Sequence, residues 1–163
     1  MDTETSVGRR DGLDFDSYMR ARLPHLIKFG CALTADEHAA ADLVQDALAA
    51  ALVKWSRIHG DPEPYIRRSM VNRSISIWRK FGREVVTDRV PEETDEVAGH
   101  DEALFAAMRH LPPRQRAVIA LRYLEDLTEV ETARVLGCAL GTVKSQSSSA
   151  LATLRALLGE GVS

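Results

Sequence analysis

Apolar residues in the first third of the chain recur every three or four positions, which is the spacing of one face of an α-helix. From Leu13 to Thr34 this spacing predicts helix. Pro24 is expected to split the stretch into two helices, because proline lacks a backbone donor and clashes with the preceding turn. A longer helix is predicted from Asp36 to Arg57. The chain therefore begins as a set of amphipathic helices.

The predicted helix over residues 36–57 has two distinct faces. Its apolar stripe, expected to be buried, contains Val44, Leu48, Ala51, Leu52 and Trp55. Asp42, Gln45 and Asp46 share another face, since a helix advances by about 100° per residue. This acidic face is available to a partner, and an ordinary solvated surface is the alternative.

The sharpest helix signal lies between Pro64 and Phe81. Pro64 suits the first helical position, and Gly82 suits a carboxy-terminal cap. One half of the helix is apolar apart from Arg67 and Ser74 and is expected to lie in the core; it contains Ile66, Met70, Val71, Ile75, Ile77, Trp78 and Phe81. The other half contains Tyr65, Arg68, Ser69, Asn72, Arg73, Ser76, Arg79 and Lys80. Such a face suits phosphates and unstacked bases, and an ordinary arginine-rich exposed helix is the alternative.

Three more helices are predicted in the last third of the chain. The first begins at Pro113. The second runs from Glu129 to Leu136 and opens with a capping box formed by Thr128 and Glu131. The third follows a tight turn and is expected to bury Val143, Ala150, Leu151, Leu154, Leu157 and Leu158.

The turn between the last two helices has the features of a helix-turn-helix. Close packing there requires a small residue in the first helix, glycine in the turn and a β-branched residue in the second. Ala133, Gly137 and Val143 occupy these positions. The residues predicted to face outward are Thr142, Lys144, Ser145, Ser148 and Ser149. Short hydroxyls and a lysine at a helix start can reach base edges and phosphates in the major groove, and a solvated helix start is the alternative.

Charge is segregated along the chain, although the 163 residues carry a net charge of only −3. Between residues 65 and 83 the bases are not offset by any acid. Between residues 84 and 102 the acids are Glu84, Asp88, Glu92, Glu93, Asp95, Glu96, Asp101 and Glu102, with Arg89 as the single base. This stretch also has no sustained apolar period, so a flexible acidic linker between two small helical domains is predicted.

Several classes of protein are disfavoured by the sequence. No apolar run approaches the roughly 18 residues of a membrane span, and no signal sequence precedes the first helix, so a cytoplasmic protein is expected. Cys31 and Cys138 lack the spacing of a zinc site and are expected to be buried thiols. The histidines have no ligand spacing and no phosphate loop is present, so we expect no catalytic residues, no metal and no cofactor.

Four segments of the chain resemble the extracytoplasmic-function (ECF) group of bacterial sigma factors, the two-domain initiation subunits of RNA polymerase. These segments are "AADLVQDAL", "YIRRSMVNRSISIWRK", "LPPRQRAVIALRYLEDLTEVETARVLG" and "GTVKS". The likeness spans Phe15 to Leu158. The "GTVKSQ" variant and the short length are similar to a small actinobacterial subgroup. The implied fold is all-α, with a disordered segment 1–12, region 2 over 13–83, the acidic linker over 84–102 and a helix-turn-helix (winged-helix-like) region 4 over 103–163.

The resemblance also implies roles for individual residues. Asp42, Gln45 and Asp46 match the helix that docks on the clamp of the largest polymerase subunits, and region 4 is expected to meet their flap. The residues matching the segment that captures the opened non-template strand at the minus-ten element are Arg68, Asn72, Arg73, Trp78, Arg79 and Lys80. The helix-turn-helix matches the reader of the minus-thirty-five element. The linker matches a segment that runs near the template strand and RNA exit path, and an anti-sigma factor is a further partner of such proteins.

The chain departs from the family pattern in its recognition helix. Ala139 stands where a capping serine is frequent, and Lys144 and Arg155 are the only bases of that helix. We therefore expect weak binding of the upstream element by this region alone, because each phosphate contact adds about one unit to the salt dependence. A stand-alone helix-turn-helix regulator is the alternative function, but it leaves the basic helix and "DLVQD" unexplained.

Overall fold

Helices make up almost all of the structure, a computed structural model that describes residues 9–10, 13–85 and 99–159. The amino-terminal half contains α1 (Phe15–Thr34), α2 (Glu37–Val53), a short 3-10 helix (Trp55–Arg57) and α3 (Glu63–Val85). The carboxy-terminal half contains α4 (Gly99–Met108), α5 (Pro113–Ile119) with a π-helical continuation (Ala120–Leu124), α6 (Glu129–Leu136) and α7 (Leu140–Leu158). The predicted all-α class is confirmed, and the described residues add one antiparallel strand pair, β1 (Arg9–Arg10) with β2 (Leu13–Asp14).

Three predicted boundaries differ from those of the structure. Arg9 and Arg10 belong to a strand, so the disorder expected for residues 1–12 does not hold at these two positions. α3 continues through Gly82 to Val85, and α4 begins at Gly99, so both helices extend into the predicted linker. Once a helix is formed, each added residue gains a backbone hydrogen bond, which favours such extensions. The rest of the linker, residues 86–98, lies outside the described residues.

α1 runs unbroken through Pro24, so the predicted split into two helices is wrong. Pro24 lies on the exposed side of α1, where water can reach the carbonyl that loses its donor. Leu26, Phe29 and Leu33 follow on the opposite side and are buried. Packing beyond the proline therefore outweighs the lost hydrogen bond.

α1 and α2 pack closely because small residues face each other at their contact. A Cβ added to Gly30 would lie 3.3 Å from the Cβ of Ala40, which is a tight contact. The turn between the two helices is fixed by Ala35 in the left-handed region (φ 57°) and by Asp36, whose side chain caps α2 by accepting from the His38 amide at 3.2 Å. Leu52, predicted to be buried, is 41% exposed, because α2 ends one residue later.

The predicted helix-turn-helix is confirmed in detail. The Thr128 hydroxyl accepts from the Glu131 amide at 3.0 Å, and the Glu131 carboxylate accepts from the Thr128 amide at 2.9 Å. Gly137 ends α6 in the left-handed region (φ 65°). Ala133 and Val143 pack with Val118 in a small buried cluster beneath the turn.

The two halves of the chain are in contact and share one set of buried side chains. Two arginines of the carboxy-terminal half reach the end of α1: Arg116 Nε donates to the Leu33 carbonyl at 2.8 Å, and Arg109 Nε donates to the Ala35 carbonyl at 3.0 Å. Burial lowers the pKa of Arg116 to about 10. Within the described ranges, no helix has both the length and the apolar character needed to cross a bilayer.

Candidate nucleic-acid interface

The polar half of α3 is an open, positively charged surface. Arg68, Asn72, Ser76, Arg79 and Lys80 are exposed, and Tyr65, Ser69 and Arg73 are half-buried. A depression of about 430 Å³ on this surface is lined by Tyr65, Arg68, Ser69, Asn72, Arg73 and Ser76. Its guanidinium, amide and hydroxyl groups can bind phosphates and base edges, and its tyrosine ring can stack on a base.

The opposite half of α3 holds this surface in position. Ile66, Met70 and Val71 are fully buried. Ser74, polar within the apolar half, donates from its hydroxyl to the Val71 carbonyl at 2.8 Å. On the polar side Arg73 Nε donates to the Ser69 hydroxyl at 3.1 Å, which fixes one guanidinium group of the depression.

The buried part of α3 ends earlier than the helical pattern predicts. Ile77 is 49% exposed and Trp78 is 38% exposed, so their placement in the core is wrong. The reason is that the helices packed against α3 do not cover its carboxy-terminal turns. Trp78 is thereby left as an accessible ring beside Arg79 and Lys80.

The start of α7 presents the predicted polar groups to solvent. Thr142, Lys144, Ser145, Ser148 and Ser149 are all exposed. Ser147, between them, is buried, and it packs inward together with Val143 and Ala150. The cap position Ala139 has an extended conformation but makes no side-chain hydrogen bond to α7, because alanine has no acceptor. Leu157, predicted to be buried, is 48% exposed near the end of the helix.

The acidic face of α2 is exposed and continues into an apolar end. Asp42, Gln45 and Asp46 are all exposed, while Leu43, Val44 and Ala47 are buried on the opposite side. One to two turns further on, Leu52 is 41% exposed and Val53 is 83% exposed. The helical pattern did not predict this apolar end. Periodicity does not show how far α2 extends beyond the helices that cover it.

Glu63 anchors the start of α3 to α1. Its carboxylate accepts hydrogen bonds from the Tyr18 hydroxyl and from Arg22, with Arg22 Nη2 at 2.7 Å from Oε2 and Nε at 3.1 Å from Oε1. Burial acts to raise the pKa of Glu63, but the bonds from Arg22 and Tyr18 outweigh it, and the pKa lies below its ordinary value. Sequence reasoning missed this contact, since its members lie far apart in the chain.

His25, Glu63 and Glu125 place one ligand atom each within 4.8 Å of one another. Both carboxylates are already paired with guanidinium groups, Glu63 with Arg22 and Glu125 with Arg67. The two arginines supply the positive charge that a cation would bring. The group is therefore an ion-pair cluster rather than a metal site.

Comparisons with known proteins match both halves of the chain. The models of sigma-70 region 2 and sigma-70 region 4 match residues 18–84 and 101–154. The RNA polymerase sigma-E factor of Streptomyces coelicolor is 37% identical over 150 residues, which cover 88% of this chain and 85% of that protein. The ECF RNA polymerase sigma factor SigM of Bacillus subtilis is 25% identical over 92% of this chain and 98% of its own. Among solved structures, the sigma factor RpoE in complex with the anti-sigma factor NepR from Bartonella quintana has a TM-score of 0.73 and 27% identity, covering 91% of this chain and 98% of that one.

The matches to both the region 2 and the region 4 models place the chain in the sigma-70 class of transcription initiation factors. The chain belongs to the ECF RNA polymerase sigma factors within that class, as its motifs predict. Sigma factors as a class are not enzymes.

Proposed function

We propose that this protein binds core RNA polymerase and directs the recognition and opening of promoters, with region 2 over residues 13–83 and region 4 over residues 103–163. The observation that carries the proposal is the presence, on one chain of the ECF group, of three separate exposed faces with different chemistry. These are the acidic face of α2, the basic face of α3 and the hydroxyl-bearing start of α7. A sigma factor needs one face for the polymerase and two for DNA.

The basic face of α3 captures the opened non-template strand at the minus-ten element. Extruding a base from a duplex costs a few kcal/mol, which phosphate neutralisation and stacking can offset. Arg68, Arg73, Arg79 and Lys80 neutralise phosphates, and Trp78 offers a ring for stacking. Asn72 lies in the depression of α3, where its amide can hydrogen-bond a base edge.

The start of α7 reads the minus-thirty-five element in the major groove. Lys144 is the group that contacts phosphate or guanine, and Thr142, Ser145, Ser148 and Ser149 provide short hydroxyl contacts. Because this region carries so few cations, it adds little affinity for DNA by itself. It acts together with region 2 on the same promoter.

The acidic face of α2 docks on the clamp of the largest polymerase subunits. Asp42 and Asp46 provide charge and Gln45 provides hydrogen bonds, while the apolar end at Leu52 and Val53 adds buried area on binding. Region 4 contacts the flap, and the acidic linker runs near the template strand. The protein has no catalytic activity of its own, acts in the cytoplasm, and can be held by an anti-sigma factor, as RpoE is by NepR.

Paired variants test these assignments. Asn72→Ala with Arg79→Ala should abolish strand opening yet leave polymerase binding intact, because both side chains are exposed and lie outside the α2 face. Gln45→Ala with Asp46→Ala should do the reverse. Ser56→Ala with Arg57→Ala, also exposed in region 2, is the control and should change neither. Polymerase binding is measured by gel filtration with core enzyme, and opening by permanganate reactivity of thymines on the promoter.

The same experiment separates the sigma factor from a stand-alone helix-turn-helix regulator. A regulator of that kind would bind duplex DNA and would not associate with core polymerase. Absence of the complex in gel filtration, or one shared defect in both variant pairs, would overturn the proposed function.

A further inference from the structure

Arg73 is held in a different way from the arginines that stabilise the fold. Arg22 and Arg67 each donate to a carboxylate, and Arg116 donates to two backbone carbonyls. Arg73 instead donates from Nε to the hydroxyl of Ser69, one turn earlier on α3, at 3.1 Å. A hydroxyl carries no charge, so this bond fixes the guanidinium group without neutralising it.

The bond to Ser69 also sets the direction of the Arg73 side chain. Helical side chains lean toward the amino-terminal end of their helix, so a residue at i+4 reaches back over residue i. Both residues line the depression on α3, together with Tyr65 one turn further back. The sequence has no acid between residues 65 and 83 to offset the charge. The Arg73 guanidinium is therefore a fixed and uncompensated cation in the wall of the depression.

A serine at position 69 is not explained by the needs of the helix. The position is half-buried in the interior of α3, where alanine is the better helix former. Ser74, on the buried side, bonds to the Val71 carbonyl of its own helix, whereas the Ser69 hydroxyl accepts from Arg73. The serine thus lowers the helix propensity at this position and gives one arginine a defined orientation.

We propose that Ser69 is a positioning residue, which orients Arg73 to bind one phosphodiester of the captured strand in the depression. With Nε engaged by Ser69, the edge formed by Nη1 and Nη2 can donate to the two non-bridging oxygens of a phosphodiester. The proposal rests on the function proposed above for the basic face of α3. It adds that affinity for the opened strand depends on a hydroxyl that acts through Arg73.

The expected contribution of Ser69 follows from the conformational freedom of arginine. A long side chain that is ordered before binding loses less entropy when the ligand arrives. Ordering one such side chain only on binding weakens affinity by about three- to tenfold. Ser69→Ala should therefore weaken strand binding by this factor although it removes no charge. Because alanine favours the helix, the melting temperature of the variant should not fall, and unfolding cannot account for the loss.

The test measures binding of forked DNA by holoenzyme assembled from core polymerase and the full chain. The exposed non-template strand of the fork carries the minus-ten element of a promoter that the wild-type protein opens, and fluorescence anisotropy reports binding. A closed duplex of the same sequence reports contacts that do not involve the opened strand. The loss in Ser69→Ala should be confined to the fork. Ser17→Ala is the control, because it removes an exposed hydroxyl of α1 outside this depression, and it should change neither affinity.

A double variant tests whether Ser69 acts through Arg73. Arg73→Gln should weaken binding of the fork and reduce the slope of log K against log salt by about 0.7, the value for one phosphate contact on a single strand. Adding Ser69→Ala to Arg73→Gln should cause no further loss, because the hydroxyl then has no guanidinium group to orient. Ser69→Thr retains the hydroxyl and should bind the fork within about twofold of the wild-type protein.

The possible results separate the role of Ser69 from the proposed function. Wild-type affinity of Ser69→Ala for the fork, or the same loss in the presence and absence of Arg73, would overturn the positioning role. Both results leave the wild-type preference for the fork in place, so the proposed function stands. A wild-type holoenzyme that binds the fork no better than the closed duplex would instead refute the proposed function, and the role of Ser69 with it.

Discussion

Arg116 and Leu33 are joined by a hydrogen bond of 2.8 Å, in which the Nε of a buried guanidinium group donates to the carbonyl of the last buried residue of α1. The same guanidinium donates from Nη1 to the Leu111 carbonyl at 2.7 Å. One side chain of the carboxy-terminal half thus satisfies backbone acceptors in both halves. This relationship makes Arg116 a structural residue.

Arg116→Met should therefore lower the free energy of unfolding. The variant retains an apolar stem but leaves two buried carbonyls without donors, at a cost of about 2–4 kcal/mol. Arg114→Met, exposed on the same helix, should cost less than about 0.5 kcal/mol. Urea denaturation of both variants checks this. Equal losses in the two would show that the carbonyl bonds contribute nothing measurable.

Glu63→Gln should remove a pH-dependent part of the stability. Because the pKa of Glu63 in the folded protein lies below its ordinary value, the stabilisation is fully present above about pH 4.5 and is lost as the pH falls through the folded value. At pH 7 the variant should be less stable by about 1.5–3 kcal/mol, the range for hydrogen bonds to a charged group. The difference should shrink as the pH drops below about 4.5.

Glu37→Gln provides the control for this measurement. Glu37 occupies the first turn of α2 as Glu63 does in α3, but it is exposed. Denaturation curves between pH 7 and pH 3.5 should give a nearly constant small difference for Glu37→Gln. A pH-independent difference for Glu63→Gln would contradict the pairing with Arg22 and Tyr18.

Ala139→Ser should stabilise the helix-turn-helix. Ala139 has the extended backbone of a cap residue (φ −73°, ψ 152°) and lacks only the acceptor for the first amides of α7. Serine should add about 1 kcal/mol. Ala152→Ser, an exposed interior position of α7, should be neutral or slightly destabilising, since serine is a weaker helix former. Thermal unfolding by circular dichroism checks both, and a lower melting temperature for Ala139→Ser would contradict the cap geometry.

Binding of the upstream element should depend only weakly on salt. Lys144 is the one cation at the start of α7, so Lys144→Gln should reduce the slope of log K against log salt by about one unit. Arg155→Gln, near the far end of α7, should leave the slope unchanged. Fluorescence anisotropy of the full-length protein on upstream-element duplex, repeated from low to moderate salt, measures the slope. A slope as steep as that of a strongly basic domain would overturn the assignment of few phosphate contacts.

The elements that sequence reasoning predicted are those specified by neighbouring residues. Thr128 with Glu131 and Gly137 fix both ends of α6 through contacts within a few residues, so the pattern was sufficient. The exposure of the α2 and α3 faces also followed from helical periodicity.

The features that were missed depend on residues far apart in the chain. Arg67 and Glu125 are 58 positions apart in the sequence, so no local pattern predicts their pairing. Trp78 and Leu52 were assigned to the core because periodicity gives the direction of a side chain but not whether a neighbouring helix extends that far. Pro24 failed to break α1 because burial on both sides of it outweighed a local preference.

The close approach of α1 and α2 at Gly30 and Ala40 has a consequence for recombining sigma factors. Because almost no side chain separates α1 from α2 at this contact, the distance between the two helices depends on the residues of both. Exchanging only α2 for the matching helix of another sigma factor would bring a foreign residue against Gly30 and tilt the acidic face of α2. Chimaeras that transplant the acidic face of α2 should therefore exchange α1 and α2 together.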